Sequence, residues 1–154
     1  MILNIRTAVR TQITEIAEVF AYCFSEDKEI SDSYDRSYIE NCLKNSLLTA
    51  TITCDKTVRG VCVCESLPIP DSCEITAIYI TDGFRGIGLG RKLLLHSLRE
   101  MRAKRCRSAF VWLDKNNVRA ERFFKRIGFL HDGRERRIYR KNGEITELRY
   151  QIDI

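Results

Sequence analysis

Proline is nearly absent from this chain: Pro68 and Pro70 are the only two, both in one short stretch. No Pro- or Gly-rich linker divides the sequence, so its 154 residues read as one domain over 1–154. Long apolar runs are missing too. None approaches the roughly 20 residues of a membrane helix, and residues 1–6 lack the basic-then-apolar pattern of a secretory leader. The expected location is the cytoplasm, with no membrane partner. Histidine is scarce, and His96 and His131 stand too far apart to suggest a ligand cluster. The seven cysteines (Cys23, Cys42, Cys54, Cys62, Cys64, Cys73 and Cys106) are odd in number and form no Cys-x-x-Cys. That removes the usual zinc and thioredoxin-type signals, and no metal is expected. They read as free, buried, small hydrophobes, with Cys62 and Cys64 two apart on one face of a strand.

What is abundant is positive charge in one place. Residues 1–81 carry 7 Lys and Arg against 12 Asp and Glu, whereas residues 82–142 carry 18 against 6. A basic segment that opens at a Gly-rich loop suits a polyanionic ligand such as a nucleotide or coenzyme A. A solvated basic helix face accounts for part of the same count.

Hydrophobic spacing gives a mixed α/β order. Residues 2–9 form a strand, and Thr11 caps a helix carrying Ile13, Ile16, Ala17, Phe20 and Phe24 at helical spacing. An acidic loop over 25–35 and a helix over 38–47 follow. Residues 48–54 and 58–65 are strands rich in Thr and Val around a turn at Asp55-Lys56. A strand over 74–81 leads into a Gly-rich turn at 83–90 and a helix to about residue 104. A strand over 108–114, a short helix capped by Asn117 and ended by Gly128, and an antiparallel pair turned at 141–144 complete the chain. The expected architecture is a single domain: a largely antiparallel front, a β-α-β unit in the second half, and flanking helices.

The informative stretch is Ile78-Tyr79-Ile80-Thr81-Asp82-Gly83-Phe84-Arg85-Gly86-Ile87-Gly88-Leu89-Gly90-Arg91. A strand feeds a loop with glycines at 86, 88 and 90, and the loop opens a helix. Backbone N–H groups unobstructed by Cβ atoms, together with a helix N-terminus, make a diphosphate cradle. A dinucleotide Gly-x-Gly-x-x-Gly from Gly86 would need glycine where Arg91 stands. A Walker loop from Gly83 would need lysine where Leu89 stands. Arg-x-x-Gly-x-Gly, at Arg85, Gly88 and Gly90, fits fully.

Together with Glu74–Ile80, Leu93-Leu94, Trp112-Leu113, Asn117, Ala120, Phe123-Phe124, Gly128-Phe129, Asp132-Gly133 and Glu147–Tyr150, this loop resembles the GNAT superfamily of N-acetyltransferases. The motifs span about residues 74–150; the first 70 residues match in element order only. The resemblance implies a GNAT-type, mostly antiparallel central sheet flanked by helices, acetyl-CoA as cosubstrate, and an amine acceptor. It assigns Arg85, Gly86, Ile87, Gly88, Leu89, Gly90 and Arg91 to the diphosphate. Ile78, Tyr79 and Ile80 go to the pantetheine arm, with a backbone N–H near Ile78 or Ile80 facing the acetyl carbonyl. Asn117 is assigned to the cofactor as well, and it could equally be a helix cap. Glu74, eleven residues before Arg85, matches the general base of the histone-acetylating branch; an edge-strand carboxylate is the plainer alternative.

Two positions depart from the family's patterns. Phe124 stands beside the cofactor where many members place a tyrosine that protonates the leaving thiolate. Trp112 stands where peptide-N-terminus acetylating members often have a glutamate, so it packs in the core or lines the cleft. Another tyrosine or water must then serve; Tyr139 and Tyr150 are the candidate acids, and neither is preferred. The family's acceptor site borders the acidic loop holding Glu26, Asp27, Glu29, Asp32 and Asp35, which would suit a cationic acceptor; a solvated loop is the plainer reading and is preferred. A catalytically weak acetyl-CoA sensor is the competing reading, kept alive by Phe124. A nucleic-acid-binding module lacks helix-turn-helix, zinc or aromatic-platform signatures, so no nucleic acid is expected. A homodimer is left open.

Overall fold

The computed structural model describes residues 1–23 and 34–154. Seven strands form one sheet: β1 (Leu3–Thr7), β2 (Leu48–Cys54), β3 (Thr57–Ser66), β4 (Ser72–Ile80), β5 (Ser108–Asp114), β6 (Leu130–Arg140) and β7 (Gly143–Asp153). Their spatial order is β1-β2-β3-β4-β5-β7-β6, antiparallel except for β4 beside β5. The helices among the described residues are α1 (Ile13–Cys23), α2 (Arg36–Asn45), α3 (Leu89–Ala103) and α4 (Val118–Ile127). This is the mixed sheet with a β4-α3-β5 crossover that the sequence pattern implies.

Local chemistry explains where elements start. Asp55 and Lys56 both take positive φ (49° and 73°), the geometry a two-residue hairpin between β2 and β3 requires. Asp35 caps α2, its Oδ1 accepting from Tyr38 N at 2.9 Å, so that helix begins at Arg36 rather than Tyr38. Thr11 is not a cap: it lies in a 3-10 turn over Arg10–Gln12, and Gln12 Oε1 accepts from Val9 N at 3.2 Å. Phe24 and most of the acidic loop lie outside the described residues; Asp35, its last member, is the cap just noted.

The sheet divides the apolar core in two. On one face α3 and α4 cover Cys62, Cys64, Cys73, Ile75, Ala109, Val111, Leu113 and Tyr150. On the other, α1 and α2 cover Val61, Val63 and Ala77, with Phe20, Tyr34, Tyr38 and Tyr79 in mutual ring contact. All seven cysteines are free, and Cys62 Sγ and Cys64 Sγ lie 3.8 Å apart on the α3 face, as their spacing predicts.

Gly60 on β3 faces Ile80 of β4 with no room for a side chain. A Cβ there would collide with Ile80 Cδ1, stand 2.8 Å from Ile52 Cγ2 and 3.1 Å from the Tyr79 carbonyl oxygen. Gly60→Ala is therefore expected to destabilise the fold by about 1–3 kcal/mol, read as a lower urea midpoint at unchanged m-value.

Candidate active site

β4 pairs with β5 at only three positions, Ser72–Ser108, Cys73–Ala109 and Glu74–Phe110. Beyond Glu74 the two strands part. β4 continues along β3 to Ile80, and β5 continues along β7 to Asp114. A bulge helps separate them: Val63 faces Ala77 and Cys64 faces Ile75, so Thr76 is the extra residue, its Oγ1 donating to Val63 O at 3.3 Å. Bulges bend the strand that carries them and increase its twist.

The fork leaves main-chain groups of β4 without a strand partner. Thr81 N donates to Arg59 O at 2.8 Å, so in the alternating antiparallel ladder the N–H and C=O of Ile78 and Ile80 turn away from β3, toward the fork. The Ile80 carbonyl is already engaged: it accepts from Arg85 Nε at 3.0 Å and lies 3.6 Å from Cys23 Sγ. Ile78 thus offers both its groups, and Arg85 works here as a brace for the loop. Tyr79 points to the α1/α2 face, inside the aromatic cluster.

At the end of β4 the loop turns on Gly83, Gly86 and Gly88, at φ 82°, 78° and 86°. A Cβ on any of the three would meet nothing in the protein, so the space above the loop is open. Gly88 is the N-cap of α3, and Lys92 N is the first amide to close on it, at 3.1 Å from Gly88 O. The amides of Leu89, Gly90 and Arg91 therefore precede the first intrahelical bond. The first turn carries no acidic residue, Arg91 and Lys92 are exposed beside it, and Ile87 is 51% exposed at the loop's crest. An open, glycine-lined set of donors next to an unpaired strand edge fits a ligand with a diphosphate and a peptide-like arm, as coenzyme A has.

Glu74 stands at the crotch of the fork, half-buried. Burial raises its carboxyl above the ordinary range; Arg136 opposes this, while Glu147 and Glu65 add to it. The register puts Glu65, Glu74, Phe110, Trp112, Arg149, Glu147 and Arg136 on one face of the sheet. There Arg149 Cζ lies 4.3 Å from the Phe110 ring centroid and Arg136 Cζ 4.3 Å from that of Trp112. Arg136 Nε donates to Glu147 Oε1 at 2.8 Å, and Arg149 Nε to Asp132 Oδ2 at 2.6 Å. Trp112 therefore lines the Glu74 face as the platform for an arginine.

The remaining candidates fall elsewhere. Asn117 caps α4, its Oδ1 accepting from Ala120 N at 3.0 Å, and its exposed side chain stands just past the end of β5. Phe124 is 2% exposed and packs edge-on against Phe123 and Phe129, so it serves the core. Tyr150 is on the face opposite Glu74, 4% exposed, with its ring 5.5 Å from that of His131. Tyr139 is also off the Glu74 face, 74% exposed near the tip of the β6–β7 hairpin and three strands from β4. The structure gathers Ile78, Ile80 and residues 85–91 around one edge with Glu74 at its base; it does not bring Tyr139 there. Sequence reasoning missed Arg136 and Glu147, whose link to Glu74 depends on the strand order β5-β7-β6.

Comparison with known proteins bears on the family and the fold. The sequence model described as the acetyltransferase (GNAT) family matches residues 13–129. A mycothiol acetyltransferase from Frankia casuarinae is 37% identical over 57 residues, covering 37% of this chain and 17% of that protein, so the match spans under a fifth of its length. An N-acetyltransferase from Staphylococcus aureus superposes with a TM-score of 0.83 at 20% identity, over 99% of both chains. The PaiA N-acetyltransferase from Thermoplasma acidophilum, in complex with coenzyme A, superposes with a TM-score of 0.78 at 16% identity over the whole of both chains. At such identities the superpositions establish the fold.

Gly88→Val adds a branched side chain where φ is 86° and where a bound phosphate would sit. The folded variant is expected to lose coenzyme A affinity by tenfold or more (about 1.4 kcal/mol), measured by calorimetry. Unchanged affinity would place the ligand elsewhere.

Proposed function

The chain belongs to the acetyltransferase (GNAT) family, and we propose that it transfers the acetyl group of acetyl-CoA to a primary amine of a small molecule or peptide, by direct attack in a ternary complex. The observation that carries this reading is the fork between β4 and β5, with a glycine-lined helix N-terminus at one end of the free edge and a half-buried glutamate at the other.

Acetyl-CoA, when bound, supplies a thioester whose acyl carbon an amine can attack. The chain's residues do the rest. Amides over residues 86–91 hold the diphosphate, with Arg91 beside them. Ile78 pairs with the peptide-like arm, and its N–H is the donor for charge that develops on the acetyl oxygen. An amine reaches the site largely as ammonium, which has no lone pair to attack with. Glu74 accepts that proton, directly or through a water. A carboxyl raised above its ordinary range by burial is a better base near neutral pH than an exposed one.

For the proton returned to the thiolate, Tyr150 is the better of the two tyrosines. No hydrogen bond among the described residues engages its hydroxyl, and on β7 it faces Val111, the first β5 position past the last pair with β4. Proton removal by Glu74 and proton return by Tyr150 then occur on opposite faces of the sheet. Phe124, which cannot donate, is replaced in this role rather than missed. The cysteines take no part: six of the seven are buried, and transfer goes straight to the amine.

Glu74→Gln keeps the shape and removes the base. Turnover in a thiol-release assay over an amine panel is expected to fall roughly 100-fold, with coenzyme A affinity unchanged. The wild-type rate rises as Glu74 loses its proton, on a limb lying above the range of an ordinary glutamate, and the variant loses that limb. A variant as fast as wild type across neutral pH would put the base elsewhere. Tyr150→Phe is expected to lower kcat several-fold while Tyr139→Phe leaves it unchanged; equal effects would remove Tyr150 from the mechanism.

A further inference from the structure

We propose that Arg136 is a positioning residue for the transfer: lying on Trp112 and tied to Glu147, it is the cation that keeps Glu74 ready to take the amine proton. The inference rests on the reading of Glu74 as the base.

The placement follows from register. Glu74 faces Phe110 across the last paired position before the fork, and Trp112 follows two residues later on the same face of β5. Trp112 faces Arg149 on β7, Asp114 faces Glu147, and Glu147 faces Arg136 on β6. Aromatic rings and guanidinium groups therefore alternate across three strands, from Phe110 through Arg149 and Trp112 to Arg136, and the series starts beside Glu74. The two arginines differ. Arg149 is mostly buried against an equally buried Asp132, which balances its charge locally. The Arg136 side chain is 46% exposed, fixed by the Trp112 ring and by Nε on Glu147. Among the described residues only its Nε is hydrogen-bonded.

On the Glu74 face, among the described residues, Glu65 comes from β3, Asp114 from β5 together with its aromatic rings, Arg136 from β6, and Glu147 and the Asp132-paired Arg149 from β7; those acting on the Glu74 carboxyl are Arg136, Glu147 and Glu65. Arg136 outweighs either neighbouring carboxylate at Glu74. Without it, Glu74 would sit half-buried between two negative charges, an arrangement that favours its protonated form and so disables it as a base. An arginine suits this place better than a lysine, because a planar, delocalised guanidinium lies flat on an indole while donating sideways to a carboxylate.

The test is a carboxyl carbon NMR titration of the full chain with labelled glutamate, the Glu74 signal being the one that Glu74→Gln removes. Arg136→Gln is expected to move the Glu74 midpoint to higher pH, and Glu147→Gln to move it to lower pH. Arg136→Lys, which keeps the charge and loses the stack, should move it less than Arg136→Gln. Arg136→Met keeps an apolar stem on Trp112 and replaces Arg136→Gln if that protein does not fold. A Glu74 midpoint unmoved in either folded neutral variant overturns the proposal. In the rate assay, with acetyl-CoA and the fastest amine of the panel, the ascending limb should shift with the NMR midpoint. A limb that survives Glu74→Gln overturns Glu74 as the base, and with it this role for Arg136. A limb lost in Glu74→Gln but unmoved in Arg136→Gln overturns Arg136 alone.

Discussion

A β-strand that loses its neighbour must find other partners for its main-chain donors and acceptors, and the whole site depends on that requirement. β5 keeps seven paired positions with β7 and gives β4 only three. The bulge at Thr76 bends β4 where the separation begins. Leaving a polar backbone group buried and unpaired costs about 1–3 kcal/mol, so the exposed edge from Glu74 to Ile80 persists as a wet cleft or beside a ligand that supplies the missing bonds. A peptide-like arm would do so along Ile78. The loop follows directly because β4 runs into it, and Arg85 Nε takes up the carbonyl of Ile80 at the point where the strand gives out.

The sheet separates two kinds of environment. On the α3/α4 face, leucines, valines, cysteines and Tyr150 pack into an apolar mass, and buried thiols such as Cys106 are pushed up in pKa, to about 12 in that case, by burial and the neighbouring Cys73. On the α1/α2 face, tyrosines and charged groups meet at the fork. Carboxylates in the first environment would be costly. In the second, Glu74 is half-buried, which raises its proton affinity without removing its access to water. The proposed base and acid, Glu74 on β4 and Tyr150 on β7, thus stand in different environments on opposite sides of the sheet.

Much of this was legible from residue types. Thr and Val runs located β2, and β5 begins and ends where the apolar pattern does, because both are central strands with little freedom in register. Glycines at 86, 88 and 90 located the loop, since positive φ at two of them leaves few substitutes. Helix starts were less legible: the second helix begins at Arg36, capped by Asp35, rather than at Tyr38, and Gln12 rather than Thr11 supplies the acceptor ahead of the first, because polar side chains compete for that task over several positions. The face of each late tyrosine was not legible at all. Counting by twos along β7 puts Tyr150 on the side of Glu144, which faces Tyr139, but which face of the sheet that is depends on how β7 pairs with β5. The partnership of Trp112 with Arg136 needs the knowledge that β7 lies between β5 and β6. Nothing local in either sequence stretch carries that.

The surplus of positive charge in residues 82–142 is better understood residue by residue than as a field. Lys125 and Arg137 pair with Glu121 and Glu144 on the surface, where such contacts contribute little. Arg149 is spent against Asp132 and Phe110, Arg85 on a main-chain carbonyl, and Arg136 on Trp112 and Glu147. Arg91 and Lys92 remain exposed beside the amides that open α3, where a diphosphate would collect them. Summed over the segment, these cations resemble a polyanion-binding face. Taken singly, Arg91 and Lys92 stand beside the loop amides, whereas Arg136 is held on an aromatic ring and acts on the Glu74 carboxyl.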